Sequence, residues 1–210
     1  MLALAMSAWV WAGERGMLRR FEGSVAQANA TARALSDEVR GFEEVVDVVP
    51  GARTLLVELR AGAEPSDALV RALDAQARTL EARVGSTHEV RVTYEGPDLH
   101  DVATLAGLSS DDVVSLHSSV EYVVAFIGFQ PGFPYLLGLP EQLVCPRLAT
   151  PRVKVPPGSV AIAGEYAGIY PAASPGGWRL IGTTDLALFD PTREQPSLLA
   201  PGDRVRFVPA

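Results

Sequence analysis

The sequence has very little cysteine and lysine, with one of each in 210 residues. A lone cysteine, Cys145, cannot form an internal disulfide and favours a reducing compartment. The sole lysine, Lys154, is not in the Met-Lys-Met setting that carries biotin. Lys and Arg number 18 against 25 Asp and Glu, so the net charge is -7. Without a basic block, this charge argues against a nucleic-acid surface.

Several motifs of common chemistry are also absent. The sequence contains no Walker A loop, no Gly-rich dinucleotide fingerprint, no Cys-x-x-Cys and no His-Glu-x-x-His. It therefore offers no standard site for ATP, NAD or zinc. The three histidines are scattered, and no metal site is predicted. The apolar start, 1–11, lacks a basic flank and is too short to span a bilayer, so we expect no membrane segment and a cytoplasmic location.

The first part of the chain alternates helical and strand patterns, which predicts a small α+β domain over residues 1–94. Ser24 is a candidate N-cap for one helix, and a second helix starts near Ser66 and stops near Gly85. Their predicted buried stripes are Val25, Ala28, Ala32, Leu35 and Val39 in the first, and Leu69, Leu73, Ala77 and Leu80 in the second. Strands are predicted at 7–11, 45–49 and 54–59, with 89–94 as the returning strand.

Residues 95–210 predict a β-barrel or sandwich domain. Two short helices, with Asp98 and Ser109 as candidate N-caps, are followed by short segments divided by Pro and Gly. The predicted strands are 122–127, 159–162, 168–170, 179–181, 186–189 and 203–207. Proline-rich connections between 136 and 157 are expected to run over the surface, where loops often carry function. The fold class is therefore α+β.

The most specialised segment is Gly128-Phe129-Gln130-Pro131-Gly132-Phe133-Pro134-Tyr135, with Ser174-Pro175-Gly176-Gly177-Trp178 further along. Gly and Pro fix the backbone while aromatic side chains supply rigid apolar faces. The candidate substrate or partner cleft comprises Phe129, Pro131, Phe133, Tyr135, Pro175 and Trp178. The alternative is that these aromatic residues belong to the core.

Three side chains are candidate catalytic residues. Arg147 and Arg152 lie among prolines, where a guanidinium could clamp a carboxylate or phosphate in a bidentate way. Ordinary surface ion pairs are the alternative. His117 could shuttle a proton, or could interact with the dipole at a helix C-terminus.

These blocks, taken in order, resemble a family of two names, allophanate hydrolase subunit 1 and the C and D part of carboxyltransferase. The resemblance is strong over about the last 115 residues. Its blocks are Gly96-Pro97-Asp98-Leu99, Leu116-His117, 128–136, Pro146-Arg147, Pro151-Arg152, Gly158-Ser159-Val160-Ala161, 168–171, 174–178 and Pro201-Gly202-Asp203. One departure is Gly182-Thr183-Thr184, where the family usually has Gly-Arg-Thr.

The resemblance implies a small α+β sandwich domain followed by a cyclophilin-like β-barrel. It also implies a subunit of an ATP-dependent 5-oxoprolinase that is inactive alone and converts 5-oxoproline to glutamate with partners. Those partners are a homologous second subunit, of the allophanate hydrolase subunit 2 type, and a lactam-utilisation protein. ATP would be used by the assembled complex, plausibly to phosphorylate the amide oxygen, with Arg147, Arg152 and His117 stabilising charge.

Other family members leave alternatives open. One is a binding module that inhibits a sporulation histidine kinase. Another is a subunit of a biotin-dependent urea carboxylase and allophanate hydrolase system. Prolyl isomerase activity follows from the fold alone and is the weakest alternative.

Overall fold

The computed structural model describes residues 8–75 and 85–210. The chain divides into two compact units, Met1–Arg83 and Val84–Ala210. None of the helices within the described residues has the length and apolar character needed to cross a membrane.

The first unit is a four-stranded antiparallel sheet with helices packed on it. Its strands are β1 (Trp9–Ala12), β2 (Gly16–Arg20), β3 (Val45–Pro50) and β4 (Thr54–Leu59), in the order β1-β2-β4-β3, and its helices are α1 (Val25–Val39) and α2 (Asp67–Asp74). Met17, Leu55 and Val57 are fully buried under the helices. The α+β sandwich predicted for this part of the chain is confirmed.

Local signals place both helices. Ser24 and Gln27 form a reciprocal capping box at the start of α1, and the Ser66 side chain accepts a hydrogen bond from the Leu69 N–H at the start of α2. All five residues predicted for the buried stripe of α1 are buried. In α2, Leu69 and Leu73 are buried as predicted. Ala77, Leu80 and the predicted continuation toward Gly85 lie outside the described residues.

The second unit is built on a seven-stranded sheet. Its strands are β5 (Thr87–Val92), β6 (Glu121–Ile127), β7 (Pro134–Leu137), β9 (Ser159–Ala163), β10 (Tyr166–Ile169), β12 (Arg179–Thr183) and β13 (Arg204–Pro209), in the order β12-β9-β10-β7-β6-β13-β5. A separate ribbon pairs β8 (Arg152–Val155) with β11 (Ser174–Gly176). Helices α3 (Leu99–Ala106) and α4 (Ser110–Ser118) precede β6, and a 3-10 turn covers Glu141–Leu143.

The two outer strands of this sheet meet. The N–H of Thr93 donates to the Thr183 carbonyl at 2.9 Å, and the N–H of Thr183 donates back to the Thr93 carbonyl at 2.9 Å. The sheet is therefore a nearly closed barrel, which confirms the predicted β-barrel. Thr183, the residue that departs from the family pattern, lies at this seam.

The strand predicted to return to the first domain belongs instead to the barrel. β5 pairs in parallel with β13 along six residue pairs, from Thr87 opposite Arg204 to Val92 opposite Pro209. Its assignment to a domain ending at residue 94 is therefore wrong. The alternation of its side chains predicts a strand but not its partner, which comes from the other end of the unit.

Three further segments of the second unit differ from their predictions. No strand forms at 186–189, where Phe189 makes an isolated bridge with Ser197. β8 lies inside the proline-rich stretch expected to be surface loop, and β11 carries a proline, Pro175. A two-stranded ribbon tolerates this proline because its strands have open edges.

Closure at the seam depends on a glycine. A Cβ at Gly182 would lie 2.7 Å from the Val92 Cγ1 and 2.8 Å from the Thr93 carbonyl oxygen. We expect Gly182→Ala to lower the free energy of unfolding by about 1–3 kcal/mol, because the added atom overpacks the seam. Urea denaturation would measure this loss.

The matched control is Gly128→Ala, whose Cβ would make ordinary contacts with Phe126, the nearest at 3.5 Å. Equal stability of the two variants would contradict a tightly closed seam.

Candidate ligand-binding site

An aromatic pocket of about 220 Å³ opens on the second unit. Its walls include the side chains of Phe129, Phe133, Tyr135, Tyr170 and Trp178, with Arg147, Pro151, Pro175 and the Gly176-Gly177 backbone completing the lining. Five of the six residues predicted for the cleft therefore come together. Pro131 does not, because it is exposed and lies outside the lining.

Phe133 is the centre of the aromatic cluster. Its ring makes edge-to-face contacts with Tyr170 at 5.0 Å, Tyr135 at 5.2 Å and Trp178 at 5.3 Å between centroids. The Phe133 side chain is 1% exposed, so this ring is both a core residue and the base of the pocket. Edge-to-face pairs each add about 0.5–1.5 kcal/mol beyond area burial, which makes the walls rigid.

Phe129 differs from the other rings because it is 61% exposed. It has a φ of 67°, and it is the sole non-glycine residue with positive φ in 8–75 and 85–210. The turn is held by hydrogen bonds from the Gly128 N–H to the Phe133 carbonyl at 3.1 Å and from the Phe133 N–H to the Gln130 carbonyl at 3.0 Å. A bulky residue in this region of backbone space is strained. The turn thus holds an exposed apolar ring beside the pocket.

Arg147 supplies the charge of the pocket. It makes no hydrogen bond or ion pair with any residue that the structure describes. Burial raises the pKa of the Tyr135 and Tyr170 hydroxyls, and the positive charge of Arg147 partly opposes this rise in both. The guanidinium therefore acts electrostatically on both phenols of the wall.

Arg152, the second predicted arginine, is already paired. Its Nη2 donates to the Asp98 Oδ1 at 2.6 Å, and the other carboxylate oxygen accepts from the Leu180 N–H at 2.7 Å. The Asp98 side chain is 5% exposed and that of Arg152 is 27% exposed. Arg152 is not part of the lining, so the structure contradicts its prediction as a free cation in the site.

The Asp98 pair nevertheless positions the pocket. Arg152 faces Gly176 across the β8–β11 ribbon, and Leu180 lies two residues beyond Trp178. The carboxylate therefore fixes two segments that carry the lining. Burial raises the pKa of Tyr170 and the charge of Arg152 partly opposes that rise, so this cation is within electrostatic reach of the wall.

Asp98 was predicted as an N-cap, and its side chain makes no capping hydrogen bond. Its partners are instead 54 and 82 residues away in sequence. The signal that could have identified it is the preceding glycine, since a Cβ at Gly96 would lie 2.3 Å from the Leu180 carbonyl oxygen. Ser109, by contrast, forms the expected capping box, with Asp112.

His117 lies in the barrel core. It is 0% exposed, its Nδ1 is 2.8 Å from the Tyr94 hydroxyl, and its ring lies 4.5 Å from that of Phe207. Burial lowers its pKa to about 3, so the imidazole is neutral. An enclosed, neutral imidazole outside the pocket lining contradicts the proton-shuttle prediction. It equally leaves no charge to interact with the helix dipole.

The fold and the pocket define a class: a small α+β unit followed by a barrel whose aromatic pocket carries one unpaired cation. The chain matches the family described as carboxyltransferase domain, subdomain C and D, over residues 8–199, and it belongs to this family. That match includes every residue of the pocket lining.

Two curated relatives have the same name, the B subunit of 5-oxoprolinase. The protein of this name from Escherichia coli O157:H7 is 50% identical over 183 residues, which cover 83% of this chain and 83% of the relative. Its counterpart from Haemophilus influenzae is 44% identical over 180 residues, which cover 83% of this chain and 84% of the relative.

Solved structures show the same fold. TTHA0988 has a TM-score of 0.81 and 42% identity, with 93% of this chain covered. This chain spans only 40% of the length of TTHA0988. The Kluyveromyces lactis urea carboxylase has a TM-score of 0.71 at 23% identity, covering 96% of this chain and 21% of that protein, and shows likeness of fold alone.

The Asp98 carboxylate gives a prediction on stability. We expect Asp98→Asn to lower the free energy of unfolding by about 1–3 kcal/mol, because a half-buried guanidinium loses its charged partner. Asp101→Asn is the control, since that carboxylate is 63% exposed and 3.9 Å from Arg179, where pairs contribute about 0–1 kcal/mol. Urea denaturation of both variants would show whether their losses differ.

His117 gives a prediction on pH dependence. Its folded pKa of about 3 lies below the usual 6.5, so the unfolded chain takes up the proton first. We expect this residue to reduce stability progressively as pH falls from about 6.5 toward 3, by about 1.4 kcal/mol per pH unit, with no effect at neutral pH.

The measurement is the urea midpoint of the wild type and of His117→Leu between pH 7.5 and 5. Carboxylates contribute equally to both proteins, so the difference in slope isolates the imidazole. Parallel profiles would rule out a buried neutral histidine.

Proposed function

We propose that this chain is a subunit of an ATP-dependent 5-oxoprolinase, acting with partner subunits to convert 5-oxoproline to glutamate. The observation that carries the proposal is the 50% identity to the B subunit of a 5-oxoprolinase over most of both chains. The pocket adds support, because its aromatic walls and its cation suit a small ring that bears a carboxylate.

The pocket has binding groups but no base or nucleophile of its own. Its described lining contains no carboxylate, histidine, cysteine or serine. The Tyr135 and Tyr170 hydroxyls have raised pKa values, so they stay protonated at neutral pH and can donate hydrogen bonds. The chain would therefore bind and orient the lactam while a partner completes the catalytic groups.

The described residues do not fit ATP. The aromatic pocket, at about 220 Å³ with one unpaired cation, is too small and too weakly charged for a triphosphate. A larger cavity of about 500 Å³ beside the barrel seam is lined by Glu89, Arg91 and Asp185 among others. Its two carboxylates against one arginine would repel phosphate. ATP use thus belongs, in this proposal, to the assembled complex.

The proposed partners are a homologous second subunit, the C-type component of an oxoprolinase, and a lactam-utilisation protein, in the cytoplasm. An incomplete catalytic set in one chain is what a shared active site requires. The aromatic pocket is the surface on which we expect the shared site to be built.

The test is ATP-dependent release of glutamate from 5-oxoproline. The chain alone, the partners alone and the co-expressed mixture are compared, with complex formation verified by size-exclusion chromatography. We expect turnover only in the mixture and only with ATP. No turnover by a verified complex would contradict the proposed function.

A protein-binding module that inhibits a histidine kinase is the second candidate. The observation in its favour is Phe129, an exposed ring held in a strained turn beside an apolar pocket. Exposed aromatic anchors are typical of docking surfaces. Inhibition of kinase autophosphorylation that is lost in Phe129→Ala, together with an inactive complex in the glutamate assay, would favour this candidate.

A further inference from the structure

We infer that the aromatic pocket is specific for a small ring acid, whose carboxylate pairs with Arg147 and whose ring packs on the walls formed by Phe133, Tyr135 and Trp178. This inference deepens the proposed function and rests on it for the identity of the ring. The recognition of a carboxylate by Arg147 is independent of whether the complex turns over.

The first argument is the charge balance of the pocket. The chain has a net charge of -7, yet the lining holds a guanidinium and no carboxylate among its described residues. Other arginines of the second unit are paired with carboxylates: Arg152, Arg179, Arg193, Arg204 and Arg206. Arg147 has no such partner in the part of the chain that the structure describes. Its charge is left for a group from outside.

The second argument is the convergence of donors on one end of the pocket. The charges of both Arg147 and Arg152 act on the Tyr170 hydroxyl. A Cβ at Gly176 would lie 2.4 Å from that hydroxyl oxygen, so glycine is needed to leave room around it. A carboxylate between Arg147 and Tyr170 would accept a charged and a neutral hydrogen bond together.

The third argument is size and wall chemistry. A volume of about 220 Å³ is below the range of about 300–1,000 Å³ that is usual for drug-sized ligands. Rigid aromatic faces stabilise an apolar ring, whereas inorganic phosphate offers them no apolar surface and brings a second charge to desolvate. The pocket therefore favours a carboxylate attached to a compact ring over a free phosphate.

The experiment is isothermal titration calorimetry on the chain with four probes. These are 5-oxoproline, cyclopentanecarboxylate, the neutral lactam 2-pyrrolidinone and inorganic phosphate. The two acids are expected to bind at least about tenfold more tightly than the neutral lactam and the phosphate, because only they offer both a ring and a carboxylate.

Arg147 variants assign the carboxylate contact. Arg147→Gln is expected to weaken both acids by at least about tenfold and leave 2-pyrrolidinone unchanged, and Arg147→Lys is expected to fall between. Lys154→Gln is the matched control, since Lys154 is an exposed cation on β8 outside the lining. Unchanged urea midpoints verify that the variants are folded.

Three outcomes would overturn the inference. They are no saturable binding of either acid, equal binding of 2-pyrrolidinone, or acid affinity unaffected by Arg147→Gln. Phosphate as the preferred probe, lost in Arg147→Gln, would identify a phosphate site and also overturn it. Acid binding that depends on Arg147 beside an inactive verified complex would leave the inference standing and refute the proposed function. Turnover with an unchanged KM in Arg147→Gln would do the reverse.

Discussion

The buried Asp98 carboxylate is the interaction on which the pocket depends. It accepts hydrogen bonds from the Arg152 side chain and from the Leu180 backbone, which belong to the separate ribbon and to the barrel sheet. A carboxylate that is 5% exposed is costly unless it is fully paired, and these two donors offset that cost. The ribbon that carries Pro175 and Gly176 is thereby held against the barrel, and the aromatic walls have a fixed frame.

Within that frame, the two arginines have different tasks. Arg152 is engaged in an internal ion pair and shapes the backbone, whereas Arg147 is left unpaired where ligands can reach it. The phenols between them stay protonated because burial outweighs the nearby positive charge. The result is a site rich in donors and apolar surface, suited to holding an anion-bearing ring and poorly suited to bond breaking without help.

Features set by neighbours in sequence could be predicted, and features set by distant partners could not. The caps at Ser24 and Ser66 and the stripe of α1 follow from side chains within one or two turns. β2 was not predicted because its inward Arg19 looks polar, although its guanidinium donates to the Leu73 and Ala75 carbonyls at the end of α2. The cleft aromatics were recognisable from their setting among Gly and Pro. The pairing of Arg152 was not, because Asp98 lies 54 residues away.

The position of β13 between β5 and β6 has a consequence for biosynthesis. The Ser86 N–H donates to the Asp203 carboxylate across 117 residues, and the six pairs of β5 with β13 have comparable separations. β5 and β6 therefore leave the ribosome long before the strand that joins them, with apolar faces uncovered. Such non-local pairing slows folding and leaves transient open edges. Nascent chains of this protein are thus natural clients for a chaperone that shields strands until residues 204–209 emerge.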